Sequence, residues 1–525
     1  MTRLIASIPV QNVEATAEAV RRAVQDGADG VELRIDGYEG DIDGLRRLMA
    51  QHPERTWIVT CRSADEGGQF TGDTMQRVSR LIETARGTGA WVDFELADWE
   101  RSANIRQKVR LAAGGVAGQD GHSGADGKTP EAPRDRLILS AHEFQRPMTD
   151  ARSRVERIAA GGHAAVAKVA WTPSDIVDNF AAFDLLRDAA TGAFGGLRVT
   201  AICMSEAGVL SRVLGRKFGA FATYAALDAG SATAPGQVSV ADLCGLYRWR
   251  RIDASTRLYG VIGDPVAHSQ SPAFFNARFE ADGVNAVYLP LRVRGGDALR
   301  RFIEGLRRRP WLDVGGFSVT IPHKEAALAL ADEAGDALTR RIGAANTLIW
   351  RDGRVVAYNT DAAAALDSIA ARLNWSPEDF RGVSADVLGC GGAARAVVAA
   401  LADHGCRVRI YARDVRRAAA LAADFGGEAF DWEQRLRGDG PLLINATCVG
   451  MTPNEQDTPM PPDALSGRTL VFDLVYTPPE TRLIREAAAA GTAALGGLDM
   501  FKRQAEVQYV VFSSSWPDSV RRGCG

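Results

Sequence analysis

SADVLGCGGAARAVVAAL, residues 384–401, is the stretch whose reading decides the fold of the C-terminal half. An apolar strand-like run ends in Gly389-x-Gly391-x-x-Ala394 and passes into an alanine-rich segment of helical spacing. Glycine permits the tight turn and close backbone approach that a dinucleotide pyrophosphate needs, and the helix N-terminus then faces that anion. The motif alone is a weak signal, and its strand–turn–helix setting is what strengthens it. Gly389, Gly391, Gly392, Ala393 and Ala394 are therefore candidate cofactor contacts. The next strand, RVRIYAR (407–413), ends where an NAD-binding fold offers an acid to the ribose 2′-hydroxyl. Here that slot holds Ala412 and Arg413, with Arg416 and Arg417 close behind. Arg413 and Arg417 are spaced one helical turn apart, able to converge on a 2′-phosphate, so the expected cofactor is NADP. Asp414 dissents, as either a ribose acceptor or a helix cap. The plainer alternative for the arginines is a solvated basic helix start.

Upstream, the pattern changes at a short, charged join, residues 251–256. Before it, β-rich runs recur with helical segments between them: LIASIPV from Leu4, GVELRID from Gly30, TWIVTCR from Thr56, WVDFEL from Trp91, RLILSAHEF from Arg136, AAVAKVA from Ala164, LRVTAIC from Leu197 and FGAFATYAAL from Phe218. Eight such repeats have the size and rhythm of a (β/α)8 barrel, with an open doubly wound sheet as the alternative. Residues 112–134, rich in Gly, Ala, Asp and Pro, break the rhythm and read as a disordered surface insertion.

Composition narrows the chemistry. Of 62 basic residues only six are lysine: Lys108, Lys128, Lys168, Lys217, Lys324 and Lys502. A chain this biased toward arginine uses arginine for plain surface charge. A lysine left in an apolar setting is thus a candidate for chemistry that guanidinium cannot do, such as forming a Schiff base. Lys168, inside AAVAKVAW, is the sharpest case, because a buried ammonium costs several kcal/mol unless paired or neutralised. Glu32, Arg34, Arg62, Glu95, His142 and Arg212 also fall at or just beyond strand ends, the face that carries barrel active sites. Taken singly, a Glu or Arg near a strand end is more often a salt-bridged rim residue, and a lone histidine is usually structural. The net charge of −3 gives no reason to expect nucleic acid or an anionic membrane as partner. No apolar run approaches a membrane span, and MTRLIASIPV reads as a strand rather than a signal peptide. Seven scattered cysteines without a CxxC pair point to a reducing, cytoplasmic setting. The carboxylates and histidines do not cluster at ligand spacing, so no metal is expected.

The first half resembles the type I 3-dehydroquinate dehydratases, over roughly residues 1–245. The resemblance rests on ELR at Glu32, TCRSADEGG around Arg62, SAHEF around His142, the strand Lys168, MSEAGVLSR ending at Arg212 and TAPGQVS from Thr233. It implies that Lys168 forms a Schiff base with the ring ketone. His142 would move the protons, oriented by Glu95. Arg212 and Gln237 would hold the substrate carboxylate, and Glu32, Arg34 and Arg62 the ring oxygens. Thr233 stands where the family pattern has serine, keeping a hydroxyl at the substrate.

The second half resembles the shikimate dehydrogenase family, over roughly residues 257–520. The carrying motifs are GDPVAHSQSP, GFSVTIPHKEAA, GAANTL, YNTDA, NATCVGM, VFDLVY and GGLDMFKRQA, in that order. The resemblance implies substrate contacts from Ser269, Ser271, Thr320, Asn346, Tyr476 and Gln504, a catalytic pair in Lys324 and Asp361, and cofactor contacts from Thr447 and Met500. Ala412-Arg413-Asp414 replaces the family's Asn-Arg-Thr.

The expectation is thus an α/β chain. A (β/α)8 barrel occupies 1–250. An α/β substrate domain follows at 257–361 and 499–520, and a Rossmann-type NADP-binding domain at 362–498. The expected activity is dehydration of 3-dehydroquinate followed by NADPH-dependent reduction to shikimate, in a monomer or alternatively a dimer. The order of the two halves resembles the fused plant enzymes. The rivals are a catabolic NAD-dependent quinate or shikimate dehydrogenase and a non-catalytic metabolite sensor. Retention of Lys168 with His142, and of Lys324 with Asp361, argues against the sensor.

Overall fold

The computed structural model describes residues 1–114, 135–228, 230 and 232–516. Two compact units emerge, one of Met1–Arg257 with Asn285–Arg292, the other of Leu258–Val284 with the described chain from Val293 onward.

The first unit holds eight parallel strands: β1 (Arg3–Pro9), β2 (Gly30–Arg34), β3 (Thr56–Thr60), β4 (Trp91–Glu95), β5 (Asp135–Glu143), β6 (Ala164–Trp171), β7 (Arg198–Cys203) and β8 (Ala222–Ala225). They pair in the order β7-β6-β5-β4-β3-β2-β1-β8. The seam between β7 and β8 is bridged by Phe221 N donating to Val199 O at 2.8 Å and Ala222 N donating to the Thr200 hydroxyl at 3.2 Å. A side chain thus supplies what a regular ladder would, and the expected barrel is present. Every residue of β6 is buried, as a strand covered on both faces requires. The register sets Ser140 and Thr200 on either side of Lys168. The expected insertion at 112–134 lies mostly outside the described residues; Ala112 itself closes the helix Ala103–Ala112.

After the barrel strands the chain forms two six-stranded sheets. The first is mixed: β9 (Arg257–Gly263), β10 (Ala286–Arg292), β11 (Val314–Val319), β12 (Glu333–Ala334), β13 (Thr347–Arg351) and β14 (Arg354–Tyr358), in the order β10-β9-β11-β13-β14-β12. The second is all parallel: β15 (Ser384–Leu388), β16 (Arg407–Ala412), β17 (Glu428–Asp431), β18 (Leu442–Asn445), β19 (Leu470–Asp473) and β20 (Ala493–Leu495), in the order β17-β16-β15-β18-β19-β20. Chain order reverses between β15 and β18, and a doubly wound sheet binds its ligand at that switch point. The helices Asp361–Leu373 and Gly392–Asp403 pack on each other, and their alanines allow close approach. Their N-termini carry Asp361 and the glycine turn to the same place.

Candidate active sites

The barrel opens on a cavity of about 500 Å³, part of it open to solvent, lined by Glu32, Arg34, Arg62, Glu66, His142, Lys168, Arg212, Tyr224, Thr233 and Gln237, among others. Eight of the nine expected barrel residues meet there. Lys168 Nζ lies 2.9 Å from Asp93 Oδ2 and 3.3 Å from Glu32 Oε1, so the buried ammonium is paired on two sides. Glu32 also accepts from the Thr60 hydroxyl at 2.8 Å and from the Ser7 hydroxyl. Burial pushes its carboxyl upward, but Lys168 and Arg34 outweigh that and hold it below the usual range. Burial likewise acts on Asp93, and Arg62 and Lys168 reverse it. Arg34 is held by Asp36 through two bonds, at 2.9 and 3.1 Å. Gln237 Oε1 accepts from Thr233 N at 2.8 Å, and the Thr233 hydroxyl donates to Ser7 Oγ at 2.9 Å.

Arg212 is the exception to this pairing. It is 2% exposed, and among the described residues it reaches only the carbonyls of Tyr224 and Pro235, at 3.3 and 3.4 Å, while its Nε has no partner. Burial pulls its guanidinium down to about 10. A buried cation with no carboxylate partner among the described residues, lining a cavity, is suited to receive an anion.

One expected residue is misplaced. Glu95 does not orient His142: its carboxylate accepts from Ser63 N at 3.0 Å, lies 3.2 Å from Arg62 and pairs with buried Arg77. His142 Nδ1 instead lies 2.8 Å from Glu66 Oε2, in the turn after β3. The reason is reach. Glu95 ends its strand beside Arg77, whereas the turn Ala64–Glu66 brings the second acid of TCRSADEGG over the barrel mouth. Burial drives the Glu66 carboxyl up to about 8, and Arg62 only partly offsets it. Burial, aided by Arg62 and Lys168, drives His142 well below its ordinary value. Burial is the largest cause at both groups and disfavours charge on either one. Asp93 is a further acid that the motifs did not single out. Its signal was its place two residues before Glu95, on the same strand face.

In the second unit a cavity of about 720 Å³ is lined by Ser269, Ser271, Thr320, Lys324, Asn346, Asp361, Ala393, Tyr476, Met500 and Gln504, among others. All six expected substrate contacts and both members of the catalytic pair line it. Lys324 Nζ lies 2.5 Å from Asp361 Oδ2. Asn346 Nδ2 donates to Asp361 Oδ1 at 2.8 Å and to Gln504 Oε1 at 3.2 Å, which fixes the far oxygen of the acid. Burial pushes the Tyr476 phenol up, keeping it a neutral donor. Gln508, unforeseen, donates to Asn346 O at 2.9 Å and accepts from Ser318 at 2.8 Å.

The glycine turn at the switch point leaves the backbone open to close approach, as a dinucleotide requires. Gly389 has φ +105°, and a Cβ there would come within 3.1 Å of Ala446 O and Thr447. A Cβ at Gly391 would meet nothing, so the turn is open on that side. A Cβ at Gly392 would fall 2.8 Å from the Lys324 side chain, so glycine lets the turn approach the catalytic lysine. Thr447 is held by Asn445, which Asp473 holds in turn. Ala394 is buried behind the turn, while Ala393 and Met500 face the substrate cavity. Asp414 caps the helix Val415–Phe425 by accepting from Arg417 N at 3.0 Å, so its carboxylate is occupied. Arg413 is exposed and has no partner among the described residues, a cation available to a 2′-phosphate. The expected convergence of Arg413 and Arg417 needs correcting. Arg413 precedes the cap rather than lying on the helix, and Arg417 is paired with Glu325.

Two family descriptions match the chain: type I 3-dehydroquinase over residues 4–254, and shikimate dehydrogenase substrate binding domain over residues 261–348. The bifunctional 3-dehydroquinate dehydratase/shikimate dehydrogenase, chloroplastic, of Arabidopsis thaliana is 34% identical across 97% of this chain and 82% of that protein. The shikimate dehydrogenase (NADP(+)) of Cereibacter sphaeroides is 43% identical over 47% of this chain and 88% of its own length. The corresponding enzyme of Salinibacter ruber is 41% identical over 49% and 92%.

Proposed function

The chain belongs to the bifunctional 3-dehydroquinate dehydratase/shikimate dehydrogenase family, and on that footing we propose how its two sites divide the work. It is a lyase and an NADP-dependent oxidoreductase of the shikimate pathway. In the barrel, the Lys168 amine adds to the ring ketone of 3-dehydroquinate, and the carbonyl oxygen leaves as water. The resulting iminium draws electrons from the neighbouring C–H bond, whose proton passes to His142, held by Glu66. His142 returns a proton to the hydroxyl that leaves as a second water. Hydrolysis of the conjugated iminium then releases 3-dehydroshikimate and restores Lys168. Arg212 and Gln237 hold the carboxylate; Glu32, Arg34 and Arg62 hold the ring oxygens. Glu95 keeps Arg62 in place rather than touching His142.

In the second site, Ser269, Ser271, Thr320, Asn346, Tyr476 and Gln504 hold 3-dehydroshikimate. Gly389, Gly391, Gly392, Ala394, Arg413 and Thr447 hold the dinucleotide. NADPH, when bound, supplies the hydride to the carbonyl carbon. Lys324 stabilises the developing alkoxide and donates its proton, and Asp361 keeps the ammonium aimed. The working division is a barrel over 1–250, a substrate domain over 257–361 and 499–520, and a nucleotide domain over 362–498. No described helix is long and apolar enough to cross a membrane; the scattered cysteines, none in a CxxC pair, support a reducing, cytoplasmic setting.

The observation that carries the dehydratase reading is a twice-paired buried lysine sharing a cavity with His142 and with an Arg212 that meets no carboxylate among the described residues. Borohydride added with 3-dehydroquinate or 3-dehydroshikimate should inactivate dehydration and leave a reduced adduct on Lys168. An adduct elsewhere, or none, defeats the Schiff-base route.

A further inference from the structure

Tyr224, on β8, lines the barrel cavity, and no motif singled it out. Lys168 Nζ sits over its ring, 3.8 Å from the centroid. Its hydroxyl is buried and has no hydrogen-bond partner among the described residues. Burial, with Glu32 and Asp93 nearby, keeps the phenol far from ionising, so the group is a donor with nothing to donate to. A buried hydroxyl in that condition is costly, and phenylalanine would fill the same space without it.

We propose that Tyr224 is a catalytic residue of the dehydratase site: its ring face supports the cation on the Lys168 nitrogen, and its hydroxyl donates to an oxygen of the bound ligand. The proposal rests on the Schiff-base reading above. Lys168 as an ammonium has three N–H donors, enough for both Asp93 and Glu32. When the amine adds to the ketone and water leaves, the iminium nitrogen keeps one N–H. One carboxylate then loses its hydrogen bond while the positive charge remains. A ring face needs no N–H; it attracts the cation through the quadrupole and acts at full strength on the iminium. The ring thus favours the cationic intermediate just where the carboxylates lose part of their hold.

The test uses the full-length chain. At saturating 3-dehydroquinate, Tyr224→Phe should keep the rate of borohydride-trapped adduct formation within about twofold of wild type, since the ring remains. Its KM for 3-dehydroquinate should rise about fivefold to tenfold for the lost hydrogen bond. Tyr224→Leu should lower both kcat and the trapped fraction about tenfold. Because the leucine variant can fail to fold, a series of increasingly fluorinated phenylalanines at position 224 provides the second measurement. It weakens the negative ring face at nearly constant shape, and the trapped fraction should fall with each added fluorine. A flat series, or a folded leucine variant that traps and turns over like wild type, overturns the ring's role. An unchanged KM in Tyr224→Phe overturns the hydroxyl's role. If the wild type itself traps no adduct, the Schiff-base reading has failed; if it traps normally and the series is flat, only the role of Tyr224 has.

Discussion

The two catalytic lysines sit in opposite surroundings. Lys168 lies mid-strand, 7% exposed, with two carboxylates and an aromatic face around its nitrogen. Lys324 opens a helix, is 14% exposed, and has one carboxylate beside it and a glycine turn against its stem. The first arrangement suits a nitrogen that becomes part of the substrate, where each change in charge must be met by the groups packed around it. The second suits a nitrogen that only lends a proton, and one aligned acid suffices for that. Removing either lysine should therefore damage one reaction and spare the other.

The largest effect is expected at Lys168. Lys168→Ala should reduce dehydration to background while leaving 3-dehydroshikimate reduction near normal, measured by separate assays on the same preparation. Residual turnover that borohydride cannot inhibit would break the contrast. Lys324→Ala should lower dehydrogenase kcat about 10²- to 10⁴-fold with a smaller change in KM, as for a group acting mainly in the transition state. A change in KM alone would make Lys324 a binding residue.

Next in size is the phosphate contact. Arg413→Ala should cost about tenfold to a hundredfold in NADPH affinity and leave NADH nearly unchanged. Arg417→Ala should cost less, because Glu325 already competes for that guanidinium. Equal losses with both cofactors in Arg413→Ala would show that the arginine does not read the 2′-phosphate.

The smallest effect, and the one that sharpens the barrel account, concerns Glu66. Its carboxyl is raised from an ordinary 4.5 to about 8, so the folded dyad holds an extra proton across that window. An ionised Glu66 accepts from His142 Nδ1–H and leaves the opposite ring nitrogen free as the base, whereas a protonated Glu66 donates to Nδ1 and does not. Dehydratase kcat/KM should therefore rise as pH passes through about 8. Glu66→Gln should lose that limb and about tenfold in rate. The sign for stability is opposite. The folded state binds more protons than the unfolded chain between 4.5 and about 8, so Glu66 makes the fold less stable as pH rises through that range. Melting of Glu66→Gln across pH 5–8 should show a weaker decline. A rate–pH profile identical to wild type would return the orienting role to another residue.

Local chemistry was the legible part of the sequence. The glycine turn at 389–394 follows from sterics within a few residues, and the barrel follows from eight repeats of one pattern. Lys168 stood out because a lysine in a continuous apolar strand needs a reason. Pairings that depend on distant elements were not legible. Whether His142 meets Glu66 or Glu95 depends on where the turn after β3 lies relative to the end of β4. The ring of Tyr224 reaches Lys168 only because closure of the barrel returns β8 to β1. Arg417 finds Glu325 across 92 positions of sequence, which no helical spacing can reveal.

The most direct measurement is a complementation assay. Wild-type protein with 3-dehydroquinate and NADPH should yield shikimate. Lys168→Ala and Lys324→Ala should each fail alone, with the lysine 324 variant accumulating 3-dehydroshikimate, and their mixture should restore shikimate formation. Shikimate formed from 3-dehydroquinate by either variant alone, or none formed by the wild type, would contradict the assignment of one reaction to each lysine.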